Sequence, residues 1–485
     1  MAEKRIIRGA NNVRPLLRIG EVQMEKKREK LGSRLGFILL SAGCAIGIGN
    51  VWRFPYITAK NGGGLFVILY LVFLVIMGIP VMCMEFSMGR AAQASPVKMY
   101  HKLKPEDKKW RAHGYAALAG NIILMMFYTT VSAWMLRYFV YMVSGKFNSA
   151  ETAEDVAGIF SGMLSEPWTM ILFVAIVVIL GFLVCSFDMQ KGLEKVTKVM
   201  MVALLGLIIV LAINSFTLDG AGEGLKFYLL PSLEKVKKIG FLTVVVEAMN
   251  QAFFTLSLGI GSMAIFGSFI GKDRSLLGES VNIACLDTFV AIVSGLIIFP
   301  AFFTYMNGAD ITQTAGPNLI FVTLPNIFIN MRFGIFFGAL FFLFMSFAAL
   351  STIFAVFQNI LSCVQELTGW GKKKSCLICG IAIFLLSIPC VLGFNVLAGF
   401  TPLGAGTGVL DLEDYIVSNI LLPLGSLIIV IFCNHKFGWG FKSFQEEANQ
   451  GEGLKIKSWM RVYFAYILPI IISIILIYGI ISPFI

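Results

Sequence analysis

The chain has 485 residues, 57% of them hydrophobic and only 14% charged, with a mean hydropathy of +0.82. A soluble chain is nearer half apolar and a quarter charged, so a cytosolic enzyme, an extracellular domain and a disordered protein are all excluded. The 39 Lys/Arg against 28 Asp/Glu leave a net charge of +11, and the distribution of those charges decides what the excess means.

Residues 1–34 are polar and basic. They carry neither the apolar stretch nor the small-residue cleavage site of a signal peptide, and read as a cytoplasmic tail lying against anionic lipid. Beyond them, apolar runs long enough to cross a bilayer recur near 36–57, 65–89, 113–144, 168–185, 193–213, 240–270, 277–303, 331–367, 376–393, 412–433 and 460–482. A spanning helix needs about 20 apolar residues. The runs are continuous rather than alternating, which excludes a barrel and leaves helices. The expected fold is therefore an all-α integral membrane protein with 11 transmembrane helices in one domain, 35–485.

With the N-terminus inside, the tail and every second loop hold 30 of the 39 Lys/Arg. Ten lie between Lys4 and Arg34, seven between Arg90 and Arg111, and Lys372, Lys373 and Lys374 follow the eighth run. The opposite loops hold seven, including Lys235, Lys237 and Lys238, and Arg53 and Arg137 sit inside runs. This positive-inside bias predicts a cytoplasmic N-terminus and an external C-terminus in the plasma (inner) membrane. It explains the basic charge without nucleic acid.

Most of the nine cysteines fall inside apolar runs, where a free thiol packs as a small hydrophobe. Cys376 and Cys379 form a lone C-x-x-C with no second pair or histidine to complete a zinc site. His101, His113 and His435 lie in or beside expected cytoplasmic loops.

Two runs are interrupted in their middles. The first reads Ser41-Ala42-Gly43-Cys44-Ala45-Ile46-Gly47-Ile48-Gly49-Asn50. The sixth reads Phe253-Phe254-Thr255-Leu256-Ser257-Leu258-Gly259-Ile260-Gly261-Ser262. Each glycine costs a helix about 1 kcal/mol relative to alanine. Irregular backbone at membrane depth is tolerated where it lines a cavity. Broken helices at corresponding places in two halves mark a mid-membrane site, with half-helix N-termini for anionic groups and freed carbonyls for sodium. The breaks lie five runs apart, so a five-plus-five inverted repeat is expected, over about 36–213 and 240–433, with an extra helix at about 460–482. Asp287 in the seventh run is an intramembrane carboxylate and hence a functional candidate. Ser351-Thr352 in the eighth run puts two adjacent hydroxyls in an apolar helix, where they either bond back to a carbonyl one turn earlier or serve a site. Carbonyls, hydroxyls, an amide and one carboxylate form an oxygen set suited to a hard cation.

Gly43 to Pro55 with Asn61-Gly62-Gly63-Gly64, Gly78-Ile79-Pro80, Glu85, Met88-Gly89-Arg90, and Gln251 to Gly259 resemble the neurotransmitter:sodium symporter family. The likeness runs over roughly residues 28 to 480, and eleven runs are similar to its bacterial amino-acid branch. The resemblance implies two sodium sites. The first would use Ala45, Asn50, Thr255, Asp287 and the substrate carboxylate. The second would use Gly43, Ile46, Ala348, Ser351 and Thr352. It implies a substrate pocket of Ala45, Ile48, Gly49, Leu124, Tyr128, Val131, Phe254, Thr255, Ser257, Ile260, Ala355 and Val356. Tyr128 and the N–H groups of Ile48 and Gly49 would hold the carboxylate. Arg53 with Asp414 would form an outer gate, and Arg28 with Glu366 an inner one.

Three positions depart from the family pattern. Val202 stands where a proline follows Gly192 by ten residues, Phe269 stands for an inner-gate tyrosine, and Leu31 stands for a tryptophan. Of the family's chloride positions, Tyr70, Gln251 and Thr255 match. Ala291 and Asp287 replace the second hydroxyl and the asparagine, so Asp287 is expected to stand in for chloride. The expected function is chloride-independent, sodium-coupled import of a hydrophobic L-amino acid. The alternatives are another zwitterion or an osmolyte on the same fold, or a non-transporting sensor. No activated nucleophile or metal cluster argues for an enzyme.

Overall fold

The computed structural model describes residues 31–188, 190–305 and 317–481, all helical in architecture, with one isolated β-bridge, Arg274 to Glu452. In chain order, α1 (Arg34–Ala45) and α2 (Gly49–Lys60) form a first span bent by 55°. The second span is α3 (Gly64–Ala92), and a short α4 (Pro96–Leu103) leads into α5 (Arg111–Val143). There follow α6 (Ala153–Leu164), α7 (Pro167–Ser186), α8 (Gly192–Phe216), α9 (Ala221–Leu229) and α10 (Leu233–Ile239). The helices α11 (Phe241–Thr255) and α12 (Ser262–Gly267) flank an irregular stretch. The remainder are α13 (Leu276–Tyr305), α14 (Leu319–Asn330), α15 (Gly334–Thr368), α16 (Lys372–Leu392), α17 (Val409–Asn434), α18 (Phe441–Ala448) and α19 (Met460–Ile481).

Among the described residues, nine helices are individually long and apolar enough to cross a bilayer, and the bent pair makes ten. The eleventh expected run is the sixth, which does not form one helix. There α11 has 15 residues and α12 only six. Its break has a local cause. Ser257, Gly259 and Gly261 adopt φ of +50°, +97° and +72°. Left-handed residues cannot propagate a right-handed helix, and serine adopts that conformation at a cost. In the first span α1 ends because Ile46 turns extended, with ψ of 103°. A π-helical turn over Gly49–Arg53 then opens α2, a feature common at functional sites.

The apolar stretch of α15 is 78% buried, against 33% for α8 and α19, so α15 is the central span and the other two lie outermost. Close backbone approach fixes the broken sixth span against its neighbours. A β-carbon on Gly425 of α17 would fall 2.0 Å from the Gly259 carbonyl oxygen, and one on Gly89 of α3 would fall 1.8 Å from that of Ala264.

Candidate ion and substrate site

The breaks in the first and sixth spans meet at one buried cluster of oxygens. Asn50, at the start of α2, donates its amide to Thr255 Oγ1 at 3.1 Å and to Asp287 Oδ1 at 2.7 Å. Thr255 donates to Asp287 Oδ2 at 2.9 Å. Asn50 Oδ1 accepts from the N–H of Gly47 at 3.0 Å. Asn50, Thr255 and Asp287 are each at most 1% exposed. Three spans thus bring an amide, a hydroxyl and a carboxylate into contact where helix geometry has released the backbone. Among the described residues no arginine or lysine shares that cluster, so a cation is the natural complement of its carboxylate.

A second group of oxygens forms between α1 and α15. Thr352 Oγ1 lies 3.1 Å from the Gly43 carbonyl, 3.2 Å from that of Ile46 and 3.4 Å from that of Ala348. Ser351 donates to the Ala348 carbonyl at 2.9 Å. All five residues expected of the second site converge here. Two hydroxyl protons, those of Thr352 and Ser351, face three carbonyls, an oxygen-rich arrangement that also suits an alkali ion.

Tyr128 projects from α5 between the two groups, and its hydroxyl oxygen accepts from the N–H of Ile48 at 3.1 Å. Beside it lies a cavity of about 20 Å³, lined by residues that include Ala45, Gly49, Leu124, Phe254, Ser257 and Ile260. Cys44, Gly47, Thr352, Val417 and Leu422 also line it. Val131, Ala355 and Val356, expected in the pocket, are buried beside the same elements without lining that cavity. Gly47 and Gly49 are there because nothing larger fits. A β-carbon at 49 would lie 2.7 Å from the Phe254 ring.

The irregular stretch of the sixth span is held by groups to which sequence reasoning gave no role. Glu85 of α3 accepts from the N–H groups of Gly259 at 2.5 Å and Met263 at 3.1 Å. Asn121 donates to the Ile260 carbonyl at 2.8 Å. His113, expected in or beside a loop, is buried in α5. Its Nε2 lies 3.1 Å from the Gly259 carbonyl and its Nδ1 2.6 Å from the Tyr100 hydroxyl. The available signal was that each is a polar residue within an apolar run.

At the expected outer gate, Arg53 and Asp414 form no ion pair within 4.0 Å among the described residues. The Arg53 guanidinium instead lies 4.0 Å from the centroid of the Phe254 ring, and Asp414 accepts from Ser418 at 2.7 Å. Cation–π stacking puts Arg53 directly over the cavity wall. At the inner end, Glu366 accepts from the N–H and hydroxyl of Ser95 at 2.7–3.0 Å, and Arg28 lies outside the described residues. Among the described residues, the buried Gln251 amide has no hydrogen-bond partner, and the buried Tyr70 hydroxyl faces Asp287, Thr255 and Thr288. Among the described residues no group of three His, Cys, Asp or Glu could hold a metal ion.

The profile of the sodium:neurotransmitter symporter family matches residues 28–156 and 159–484. The chain belongs to that family. It is accordingly a membrane-spanning transporter of the sodium-coupled kind. An uncharacterized sodium-dependent transporter of Bacillus subtilis, YhdH, is 33% identical over 84% of this chain and 88% of its own. One from Haemophilus influenzae is 31% identical over 93% and 98%. The bovine sodium- and chloride-dependent taurine transporter is 27% identical over 92% of this chain and 77% of its own. Among solved structures, MhsT in complex with L-phenylalanine superposes with a TM-score of 0.83 at 36% identity, covering 93% of this chain and all of that one.

Proposed function

We propose that this symporter imports a hydrophobic L-α-amino acid with sodium and without chloride, by alternating access around the cluster of Asn50, Thr255 and Asp287. The observation that carries the reading is that cluster itself, a fully buried carboxylate held by an amide and a hydroxyl where two broken spans meet. Asp287 supplies the fixed negative charge that a chloride ion supplies elsewhere. Two anions in one low-dielectric site repel strongly, so Asp287 and chloride are alternatives. The substrate's own carboxylate completes the first ion site, because Gly47 leaves no side chain there. Gly43, Ile46, Ala348, Ser351 and Thr352 form the second. Arg53 and Asp414 close the pocket from outside, and Arg28 and Glu366 from inside. In this reading the N-terminus is cytoplasmic and the spans form two inverted repeats of five with one added helix. The likeness to a phenylalanine-bound structure supports an apolar side-chain pocket.

Radiolabelled amino-acid uptake into proteoliposomes tests the reading. Uptake should require a sodium gradient, persist when gluconate replaces chloride, and be inhibited by the parent amino acid but not by tyramine or taurine. Uptake that collapses without chloride, or competition by tyramine at equal concentration, overturns it. The double variant D287N/A291S should acquire chloride dependence.

A further inference from the structure

The positive-inside bias leaves one feature unexplained. Lys235, Lys237 and Lys238 lie within four residues, in a loop opposite the basic side. They belong to α10, which with its flanks at 226–242 connects α9 to α11. All three are exposed, as is Lys226, and Glu234 is the one acid between residues 226 and 242. Apolar side chains surround them. Leu230 is 61% exposed, Leu233 65%, Phe241 56% and Leu242 71%.

The depth of this loop follows from α11. Fourteen residues at about 1.5 Å each place Phe241 about 21 Å from Thr255 along the helix. With Thr255 at the bilayer midplane, as the reading above has it, Phe241 lies a few ångströms beyond the hydrocarbon, whose half-thickness is about 15 Å. That is the level of lipid phosphates. Exposed leucines and phenylalanines there enter the acyl boundary, and lysines extend their ammonium groups to the headgroups. The Lys235 ammonium stands 4.2 Å from the centroid of the Phe227 ring, which sets its direction.

The same loop grips the turn between the first and second spans. Gly62 and Gly63 have φ of +86° and +80°. A β-carbon on Gly62 would meet Lys235 Cβ at 3.3 Å and Val236 at 3.4 Å, and Val236 is the buried residue of α10. One on Gly63 would fall 2.2 Å from the Phe227 carbonyl oxygen, and one on Gly64 2.7 Å from the backbone of Leu230. This turn is where α2, which carries Arg53, joins α3.

We propose that the loop at 226–242 is a binding site for the phosphate groups of anionic phospholipids in the adjacent leaflet, and that its occupancy restrains the Gly62–Gly64 hinge of α2. Phosphate meets Lys235, Lys237 and Lys238 while the acyl chains meet Leu230, Leu233, Phe241 and Leu242. The lipid thereby fixes α10 against the hinge and favours the closed outer side.

The test uses full-length protein in nanodiscs, with binding read independently of transport, so that failure here is distinguishable from failure of the functional reading. A Leu233→Trp reporter, corrected for the parent's own tryptophans, is quenched by lipids brominated on their chains. Brominated phosphatidylglycerol should quench at a lower mole fraction than brominated phosphatidylcholine. The K235Q/K237Q/K238Q variant should weaken that preference by about tenfold or more. In the parent background, phosphatidylglycerol should slow amide exchange at residues 62–64, and in the triple variant it should not. Equal quenching by the two lipids, or a preference that survives in a folded triple variant, overturns the proposal. Full displacement by inorganic phosphate would show a site for free anions instead and also overturns it.

Discussion

Gly47 has no room for a β-carbon. One placed there would lie 2.3 Å from the Tyr128 hydroxyl and 2.8 Å from Thr352 Oγ1. A methyl group must therefore displace a residue of the substrate site or one of the second ion site. Overpacking of this kind costs about 1–3 kcal/mol, so Gly47→Ala should weaken sodium-dependent amino-acid binding roughly tenfold to a hundredfold in a scintillation-proximity assay. Unchanged affinity would remove Gly47 from the site. The polar members of the site were legible in the sequence because Asn50, Thr255 and Asp287 stand out in apolar runs. Val417 and Leu422, which line the cavity, were not. A leucine in a membrane span carries no mark of whether it faces ligand, lipid or another helix.

At the scale of elements, the irregular stretch of the sixth span stays ordered because its freed backbone groups find side chains. Glu85 accepts two of its N–H groups. Glutamine in its place keeps the shape but turns an NH₂ toward an N–H donor. An unsatisfied buried donor costs about 1–3 kcal/mol, and Glu85→Gln should lower the thermal midpoint of the purified protein by several degrees. A midpoint equal to the parent's would show that water or movement satisfies the stretch. The glycine clusters made both breaks readable beforehand, since repeated glycine opposes helix. The short helices α4, α9, α10 and α18 were not read, because brief amphipathic segments between spans give little periodicity.

Outside the spans, α6 begins with a reciprocal cap between Thr152 and Asp155. The Thr152 hydroxyl, then the N–H groups of Thr152 and Glu151, hold the Asp155 carboxyl below the usual carboxylate range. A lowered folded-state value stabilises the cap at neutral pH, and that contribution is lost as pH falls through it. Amide exchange in the first turn of α6 should therefore accelerate on acidification beyond its intrinsic pH trend. Asp155→Asn should flatten that response.

Across the whole molecule, α1 is tied to the spans it must leave if the inner side opens. Glu194 accepts from the Gly32 N–H at 2.7 Å, the Ser33 hydroxyl at 3.0 Å and Lys198 at 2.7 Å. Arg34 binds Glu279 of α13 at 2.9 Å. Hydrogen bonds to a charged group contribute about 1.5–3 kcal/mol. Glu194→Gln should accordingly raise the population with α1 released, and speed alkylation of buried Cys44 by about tenfold, read by mass spectrometry of its peptide. An unchanged rate would show that these ties do not hold α1. The sequence displayed the span order and the charge asymmetry because both are properties of composition along a line. Ties such as Glu194 to Gly32, 162 residues apart, depend on which helices become neighbours, and no local pattern encodes that.

The cavity beside Tyr128 has a consequence for time rather than for affinity. At about 20 Å³ it accommodates about one water molecule, so any amino acid must wait for Phe254, Ile260 and their neighbours to part. Encounter with the protein then ceases to be the slow event. The observed association rate should level off as ligand concentration rises, at the frequency with which the walls separate. Bulkier side chains demand a wider and rarer separation. Selection among substrates is thus exercised partly by a clock in the protein, before any contact with the ligand is made.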